Sequence, residues 1–413
     1  MKIALVIGPP FWLKTPHIGL EYIKNYIKDR ASVEILDLNL YFYRLWGLNQ
    51  KEWLSLNKEF ENNLFERTKE RFKEEFLNLV KRLTTYDYLG FSLFRRNLNF
   101  SLKLAEEVKK SSKNTQIIWG GPQIREEEFT TDDIIVEGEG ELPLSEIVNG
   151  SSNRRFSYQE IEDLDSLKFS TFEDYDLSSY KWVPLLSNRG CIKRCKFCSE
   201  WNLYQKFRQH SPRYTAELIE SLIKRYNLPY FSFQNSLINA NLVWLEKFCK
   251  LIISKKLKIN WEAQIIIRKD MEVGLFRLMK EAGCINLFIG LESGSDKLLE
   301  DMGKGFTVSE AQEFFTKLKK AELMFEVSII VGYPQESEED FKKTLEFLKK
   351  NKKIIPKIAQ ISSFTPYKNS LIYKENPKIE PSLVNRRLKK LVKFIEREKI
   401  PHKKVFIDNL RYK

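Results

Sequence analysis

Short apolar runs alternate with helical patterns along almost the whole chain, and this alternation limits the folds that the sequence can adopt. In the first third, buried-strand patterns cover residues 2–7, 33–38, 88–94, 116–121 and 133–141. Helical patterns separate them at 18–30 and 99–110, and a polar, aromatic-rich insertion at 40–84 has a helical composition. Strands that alternate with helices predict a parallel, doubly wound sheet. We therefore expect an α/β, Rossmann-like first domain over residues 1–148.

A second series of strand-then-helix units follows a polar segment. The stretch NGSSNRRFSYQ marks a domain boundary, and residues 149–182 are expected to form a linker. Strands are predicted at 183–188, 230–235, 259–265, 286–292, 325–334 and 357–367. Helices are predicted at 214–226, 241–255, 273–282, 307–321 and 337–350. Six strands of this kind predict a partial (β/α)6 barrel over 183–370, with its site at the carboxyl ends of the strands.

The remaining residues, 371–413, are expected to form a C-terminal helical segment. A basic helix at about 381–398 is predicted to pack beneath the barrel or to close its edge.

Three of the five cysteines lie within eight residues, in the stretch CIKRCKFC at 191–198. Three thiolates from one loop can ligate three irons of a cubane cluster and leave the fourth iron open. A structural zinc site would need four protein ligands, but Cys249 and Cys284 are isolated and the three histidines stand far apart. The triad therefore predicts a 4Fe-4S cluster on Cys191, Cys195 and Cys198. The alternative is that the three cysteines are grouped by chance.

Composition bears on the compartment and the partners. No run of about 18 uncharged apolar residues occurs, so no membrane span is expected. Five cysteines with one tight triad indicate a reducing, cytoplasmic setting rather than a disulfide framework. The net charge of +13 would suit an anionic partner. Because the lysines are spread along helical segments as solvated faces, we do not expect a nucleic-acid partner.

The spacing C-x-x-x-C-x-x-C, with Phe197 just before the last cysteine, resembles the signature of the radical S-adenosylmethionine (SAM) enzymes. In that family, SAM chelates the open iron and is cleaved to a 5′-deoxyadenosyl radical after one-electron reduction. The resemblance implies an electron donor such as flavodoxin or ferredoxin. No catalytic residue is assigned beyond the cluster ligands.

The same resemblance implies SAM contacts at the ends of the barrel strands. Glu292, in the motif GLESG, is expected to accept hydrogen bonds from the SAM ribose, and Lys304 matches a recurring family lysine without a clear role. The other expected contacts with SAM are Gln234, Asn235, Ser236, Arg268, Ile330 and Val331. Relatives often carry acidic or glycine residues where this chain has Gln234, Asn235 and Ser236. For Arg268, a solvent-facing salt bridge is an equal alternative.

Small residues follow the predicted strands of the first domain. The series GPP, PHIGLEYIKNYI, GFS, WGGP and EGEGELPL resembles the cobalamin-binding domain that precedes many radical SAM cores. The resemblance implies cobalamin contacts at Gly8, Pro9, Ser92, Arg95, Gly120, Gly121, Gly138, Glu139 and Gly140. Alternatively, the glycines make tight turns and Arg95 is a surface charge. The family's D-x-H-x-x-G ligand motif is absent, so we expect His17 to be a loop residue.

These resemblances imply a cobalamin-dependent radical SAM methyltransferase that acts on an unactivated carbon. One alternative is a radical SAM enzyme that catalyses a non-methylating ring closure or rearrangement. Another is a non-catalytic cobalamin- or RNA-binding protein. The substrate is an unidentified organic molecule or peptide, and Trp46 and Trp53 in the insertion permit a lipid as well.

Overall fold

The structure, a computed structural model, describes residues 1–54, 58–125, 129, 132–402 and 407–408. The chain divides into two compact units, Met1–Pro184 and Leu185–Lys413. The first unit includes the predicted linker at 149–182, and the finer division into four segments stays a prediction. Part of the predicted C-terminal segment, 403–406 and 409–413, lies outside the described residues.

The first unit is built on a parallel sheet with the strand order β2-β1-β3-β4-β5-β6. Its strands are β1 Lys2–Ile7, β2 Ser32–Asp37, β3 Tyr88–Ser92, β4 Gln116–Gly120, β5 Ile134–Glu137 and β6 Arg155–Ser157. The apolar run of β1 is buried from its second residue onward, as a central parallel strand requires. The order reverses between β1 and β3, and ligands of doubly wound sheets bind beyond the strand ends at such a point.

Within the described residues of this unit, seven α-helices accompany the sheet. They are α1 Ile18–Ile27, α2 Leu38–Trp46, α3 Gln50–Leu54, α4 Lys58–Arg71, α5 Lys73–Leu83, α6 Leu98–Ser111 and α7 Glu141–Val148. The insertion is helical, as predicted, and contributes α2 to α5. Trp53 is fully buried and donates a hydrogen bond from Nε1 to Asn39 Oδ1 at 3.0 Å. The Trp53 side chain is therefore part of the core of this unit and does not present a surface to a substrate.

Strand β6 lies in the segment that the sequence predicts as a linker. It pairs in parallel with β5, from Ile135 opposite Arg155 to Glu137 opposite Ser157. Only its middle residue, Phe156, is buried. A three-residue edge strand with one buried side chain gives too short a pattern to be recognised in a polar sequence.

The second unit contains a seven-stranded sheet with the sequential order β15-β14-β13-β12-β11-β10-β7. Its strands are β7 Val183–Leu185, β10 Tyr230–Phe233, β11 Asn260–Ile265, β12 Cys284–Glu292, β13 Phe325–Val331, β14 Ile358–Ser363 and β15 Ile407–Asp408. The pairs from β10 to β15 are all parallel. The predicted α/β class and partial barrel are confirmed, and β15 adds a short seventh strand to the six that were predicted.

Helices follow the barrel strands. They are α8 Pro212–Tyr226, α9 Leu242–Ser254, α10 Val273–Glu281, α11 Asp296–Asp301, α12 Val308–Lys320, α13 Glu338–Asn351 and α14 Pro381–Arg397. Local sequence fixes several starts: Ser211 caps α8, and Thr307 and Ser337 form capping boxes at α12 and α13. Among the helices that the structure describes, none has both the length and the apolar character that a membrane crossing requires.

Candidate cluster and cofactor site

A short antiparallel strand pair closes the base of the cysteine loop. Strand β8, Asn188–Arg189, pairs antiparallel with β9, Arg208–Gln209. Gly190 follows β8 with φ +82°, and a Cβ there would lie 2.7 Å from the carbonyl oxygen of Lys206. Only glycine suits this backbone conformation and this close approach. The residues between the two short strands therefore leave the barrel as one loop, and this loop carries all three cysteines of the triad.

The three thiols occupy partly buried positions. Cys195 is buried, and Cys191 and Cys198 are half-buried. Burial raises the pKa of all three thiols, that of Cys198 to about 12, and the charges of Glu200, Cys195 and Cys191 contribute to the rise at Cys198. Thiolates held this close together need compensating positive charge, which bound irons supply.

The donor set suits a cluster better than a single ion. Over the described ranges, no three His, Cys, Asp or Glu side chains are arranged about one metal position. In a cubane cluster each thiolate ligates a different iron, so the sulfurs need not converge on a point. Three cysteines on one loop therefore fit a 4Fe-4S cluster with one iron left for another ligand.

The loop is held against the segment that follows α11. The Lys196 amide donates to the Met302 carbonyl at 3.0 Å, and the Cys195 thiol lies 3.7 Å from the Gly303 carbonyl. The ammonium of Lys196 pairs with Asp301 at 3.1 Å. The cysteine loop is thus fixed by backbone and side-chain contacts to the same short segment that carries Lys304.

Glu292 occupies a distorted position at the end of β12. The register with β13 shifts between Gly290 and Glu292, which is the signature of a β-bulge, and Glu292 has φ +67°. Its carboxylate is buried, accepts a hydrogen bond from Ser328 Oγ at 3.1 Å and lies 3.3 Å from Lys304 Nζ. A Cβ on Gly290 would lie 2.3 Å from Glu292 Oε1, so the glycine leaves room for the carboxylate.

The backbone at Glu292 is strained. A glutamate in the left-handed region costs about 1–2 kcal/mol, and such strain is concentrated at functional sites. Bulges there re-aim a side chain. Lys304 connects the carboxylate to the cysteine loop, because its ammonium also lies 5.8 Å from the ring centre of Phe197. The structure thus brings Glu292 and the cysteine loop together, and it gives the lysine of the MGKG motif a partner.

Two buried amides lie beside the start of the cysteine loop. Asn235 accepts from the Ser187 amide and hydroxyl at 3.4 and 3.3 Å, but its Nδ2 has no hydrogen-bond partner among the described residues. Asn188 donates to the Leu237 carbonyl at 3.1 Å, and its Oδ1 is likewise unpaired there. A buried polar atom without a partner is costly, and a bound polar group would satisfy it. Sequence reasoning missed Asn188, whose only signal was its place at the start of the loop.

The remaining SAM-contact predictions occupy different surroundings. Gln234 is exposed and donates to Ser232 Oγ at 2.9 Å, and Ser236 is half-buried. Arg268 pairs with Asp270 at 2.6 Å and donates to two backbone carbonyls at 3.0 Å, which is the salt bridge that the sequence left open. The hydrogen bonds that Arg268 donates to Asp270 raise the pKa of the guanidinium, and burial lowers it by less. The SAM contact of this residue stays a prediction.

Two predicted adenine contacts lie on β13. Val331 is buried, and Ile330 packs against the apolar group formed by Tyr333, Phe364 and their neighbours. Phe197 of the cysteine loop packs against the same group. The end of β13 and the cysteine loop are therefore adjacent in the barrel.

His17 and Ser92 meet at the carboxyl edge of the first sheet. Ser92 ends β3, and its Oγ lies 3.1 Å from His17 Nε2. The amide of Leu20 donates to His17 Nδ1 at 3.2 Å, so the ring caps α1. With Nδ1 as acceptor, the ring proton belongs on Nε2 and is donated to Ser92. Burial lowers the pKa of His17 to about 4, which keeps the ring neutral. Neither nitrogen has a lone pair free for a metal in this arrangement.

The predicted cobalamin contacts share this edge, but several of them have clear roles in local packing. Gly121, with φ +95°, lies so close to Leu93 that a Cβ would come within 2.6 Å of its amide nitrogen. Glu139 is buried and accepts from the Ile161 amide at 3.1 Å, whereas Arg95 is exposed. The others lie at strand ends or at the start of α7: Gly8, Pro9, Gly120, Gly138 and Gly140.

One observation at this edge fits a bound group. Ser101 is fully buried, and its Oγ has no hydrogen-bond partner within the described part of the chain. It lies 2.6 Å from the position that a Cβ on Gly8 would occupy, beside the point where the strand order reverses. A hydroxyl left unpaired there suits a polar atom of a ligand seated on this edge.

Two parts of the chain match known protein families. Residues 185–348 match the radical SAM superfamily, and residues 10–148 match the B12-binding domain. The chain thus carries a B12-binding domain followed by a radical SAM domain. It is a radical SAM enzyme, and its families imply a 4Fe-4S cluster, SAM and cobalamin as cofactors. The sequence-based predictions of superfamily and cofactors are confirmed.

Curated relatives fall into more than one reaction type. The chain is 25% identical over 414 residues to an "Uncharacterized methyltransferase PH0819" of Pyrococcus horikoshii, covering 90% of this chain and 82% of that protein. It is 24% identical over 277 residues to an "Anaerobic magnesium-protoporphyrin IX monomethyl ester cyclase" of Cereibacter sphaeroides, covering 59% of this chain. The match spans only 44% of the cyclase.

Solved structures share the fold. One is the cobalamin-dependent S-adenosylmethionine radical enzyme OxsB with aqua-cobalamin and S-adenosylmethionine bound, with a TM-score of 0.67 and 16% identity over 98% of this chain and 57% of OxsB. Another is the radical S-adenosylmethionine methyltransferase TsrM from Kitasatospora setae, with a TM-score of 0.69 and 13% identity over 91% of this chain and 77% of TsrM. At these identities the likeness establishes the fold alone.

Proposed function

We propose that this chain is a cobalamin-dependent methyltransferase that transfers a methyl group to an unactivated carbon. The observation that carries the proposal is the presence of a B12-binding domain and a complete cysteine loop in one chain. Its similarity to a protein named as a methyltransferase, over most of both chains, supports the same reaction type. When bound, the cluster and SAM supply a 5′-deoxyadenosyl radical, and cobalamin supplies the methyl group.

The residues of the barrel are proposed to hold SAM in one orientation. Glu292 would accept the ribose hydroxyl hydrogen bonds, which are strengthened by its charge. Its carboxylate is already aimed by the bulge and by Ser328, so little ordering is needed on binding. Asn188 and Asn235 would pair their free Oδ1 and Nδ2 atoms with the ammonium and carboxylate of the methionine moiety.

The other predicted contacts complete this arrangement. Gln234, Ser236 and Arg268 would lie at the polar end of SAM, and Ile330 and Val331 would pack against the adenine. In the first unit, the edge formed by Gly8, Ser92 and their neighbours would receive cobalamin. His17 would not ligate the cobalt, because both of its ring nitrogens are engaged in hydrogen bonds.

The experiment separates binding from chemistry. The protein, reconstituted anaerobically with iron, sulfide and hydroxocobalamin, is reduced and incubated with SAM that carries a deuterated methyl group. We expect deuterated methylcobalamin and 5′-deoxyadenosine, detected by mass spectrometry. A candidate substrate should gain one deuterated methyl group. Formation of 5′-deoxyadenosine without any labelled methylcobalamin would contradict the methyltransferase proposal.

A ring closure or rearrangement is the second candidate. It is favoured by the similarity to the anaerobic magnesium-protoporphyrin IX monomethyl ester cyclases, which extends over more than half of this chain. The two reactions are distinguished by the mass of the product, because only methylation adds a methylene. The radical SAM domain argues against the non-catalytic alternative. We place the enzyme in the cytoplasm, in keeping with its unpaired cysteines.

A further inference from the structure

A basic groove runs along the outside of the barrel between α13 and α14. It has a volume of about 900 Å³. Seven cations and one carboxylate line it: Lys342, Lys349, Arg386, Lys389, Lys390, Lys393, Arg397 and Glu346. All eight side chains are exposed, and the floor includes Leu345 and Phe394. The net charge of the chain is +13, so about half of its excess positive charge is concentrated in this groove.

Few of these charges are neutralised within the protein. Three of the cations have a carboxylate within ion-pair distance: Lys342 and Glu346 at 3.7 Å, Arg386 and Glu338 at 3.8 Å, and Arg397 and Glu398 at 3.6 Å. All three cations are exposed, and ion pairs at exposed positions contribute little. No ion pair of Lys389 or Lys393 occurs within the described ranges. The cations recur along α14 at positions three and four residues apart, so they share one face of the helix.

The opposite face of α14 is anchored to the barrel. Arg387 is buried, donates to the Glu336 carboxylate and carbonyl at 2.9 Å, and reaches Glu338 at 3.0 Å. Val384 packs against Gly332 at the end of β13. The groove is therefore a rigid surface on a fixed helix, and a partner that binds it would be held in a defined position relative to the barrel.

A short path of packed side chains connects this surface with the cysteine loop. Gly332, against which Val384 packs, precedes Tyr333. The Tyr333 hydroxyl donates to Asp301 at 2.8 Å, and Asp301 pairs with Lys196 inside the cysteine loop. The Tyr333 ring also belongs to the apolar group that contacts Phe197. The buried face of α14 is thus linked to the cysteine loop through a continuous series of contacts.

We propose that the groove between α13 and α14 is the docking surface for the acidic electron-donor protein that reduces the cluster. This inference rests on the proposed function, because it takes the cluster as the electron acceptor. One electron leaves the reduced cofactor of the donor and enters the oxidised cluster, and no bond is formed or broken. Complementary charge accelerates such transient encounters by about 10- to 1,000-fold at low ionic strength.

The lining favours a protein over other polyanions. Single-stranded nucleic acids are bound through aromatic rings on which bases stack. Among the described residues that line the groove, Phe394 is the only aromatic one, and Arg397 covers its ring at 5.4 Å. A membrane-surface helix would present large apolar side chains beside its cations. In α14, four of the apolar residues, Val384, Leu388, Leu391 and Ile395, are instead buried.

The test compares a variant in which two charges of the groove are reversed with a variant in which two charges outside the groove are reversed. The groove variant is Lys389→Glu with Lys393→Glu. The control is Lys247→Glu with Lys258→Glu, which makes the same change in net charge at exposed positions outside the groove. A reduced bacterial flavodoxin is the probe, and dithionite is the small reductant that needs no docking surface.

Two readouts are measured. Fluorescence anisotropy gives the affinity of the cluster-free protein for labelled flavodoxin at low and high salt, and absorbance follows reduction of the reconstituted cluster. We expect the groove variant to bind flavodoxin about tenfold more weakly at low salt. The control should stay within about twofold of the original protein. All three proteins should be reduced by dithionite at the same rate.

Equal flavodoxin affinity in the groove variant and the original protein would overturn the proposal. So would an equal loss in the control, or no flavodoxin binding by the original protein. Loss of affinity for a single-stranded RNA or for anionic phosphatidylserine vesicles, with flavodoxin binding unchanged, would assign the groove to another partner. Failure of dithionite to reduce any reconstituted protein would instead count against the cluster itself, and so against the proposed function.

Discussion

Replacement of Lys304 tests whether the pair that joins Glu292 to the cysteine loop is a coupled, buried unit. The ammonium and the carboxylate are 3.3 Å apart, and the two side chains are only 8% and 9% exposed. Lys304→Met removes the cation but keeps most of the side-chain volume. Glu292→Gln removes the anion and keeps the shape of the side chain. The double variant removes both charges.

The expected costs differ for the three variants. Lys304→Met leaves a buried carboxylate with only the Ser328 hydroxyl, which should destabilise the barrel by about 3–5 kcal/mol. Glu292→Gln should cost about 2–4 kcal/mol, since Lys304 keeps its contacts with the rings of Phe197 and Phe306. The double variant should cost no more than about 2 kcal/mol, because removing both members of a buried pair is often nearly neutral.

Native-state hydrogen exchange is the appropriate assay, because the two units need not unfold together. Amides of β12 and β13 report the free energy of opening of the barrel, and amides of β1 and β3 serve as an internal control. The reasoning would be refuted if Lys304→Met cost less than about 1 kcal/mol and the two single costs were additive within about 0.5 kcal/mol.

Three further predictions concern other contacts. His17→Asn should keep the cap of α1 and abolish the part of the stability loss between about pH 6.5 and 4 that comes from charging a buried histidine. His17→Ala removes the cap and should cost about 0.5–2 kcal/mol at pH 8. Urea unfolding at both pH values would show this, and an unchanged acid profile in His17→Asn would count against it. Burial raises the pKa of Asp340, but hydrogen bonds from Ser337 and Ser295 outweigh burial and hold it below its usual range. Its stabilisation is therefore present above about pH 4 and lost below it, so Asp340→Asn should flatten the acid end of the stability curve, and an equally steep fall would argue otherwise. Gly332→Ala should cost about 2–5 kcal/mol of stability, since Gly332 has φ +81° and a Cβ there would lie 2.4 Å from Val384. Adding Val384→Ala should recover only the steric part of this cost in thermal unfolding, and complete recovery would exclude backbone strain.

The elements with long, one-sided patterns were predictable from the sequence. The segment that became β1 has five consecutive apolar residues, and the segment that became β13 has five apolar residues among seven. Burial of both faces of a parallel strand demands such a composition. The cysteine loop could be recognised because its ligands are adjacent in sequence. Glu292 was singled out by its motif as a predicted SAM contact, although nothing in the sequence indicated the bulge that aims its side chain.

The parts that could not be predicted depend on contacts between distant segments. The strand pair of β8 and β9 has only two residue pairs, which is too few to give a periodic sequence pattern. The partners of Arg387, Glu336 and Glu338, are 51 and 49 residues away in the chain. The unpaired amide of Asn188 became visible only when its surroundings were known, because a sequence does not show which buried atoms lack partners.

The central claim is that three sulfurs of one loop hold a cluster on which SAM is cleaved. The most direct measurement replaces Cys198 with alanine, with Cys249→Ala in the buried core of the barrel as the matched control. Both proteins are reconstituted anaerobically, and iron content and 5′-deoxyadenosine formation are measured with dithionite as the reductant. We predict that Cys198→Ala loses 5′-deoxyadenosine formation and most of the bound iron, while Cys249→Ala retains both. Retention of iron and of 5′-deoxyadenosine formation in Cys198→Ala would contradict the account.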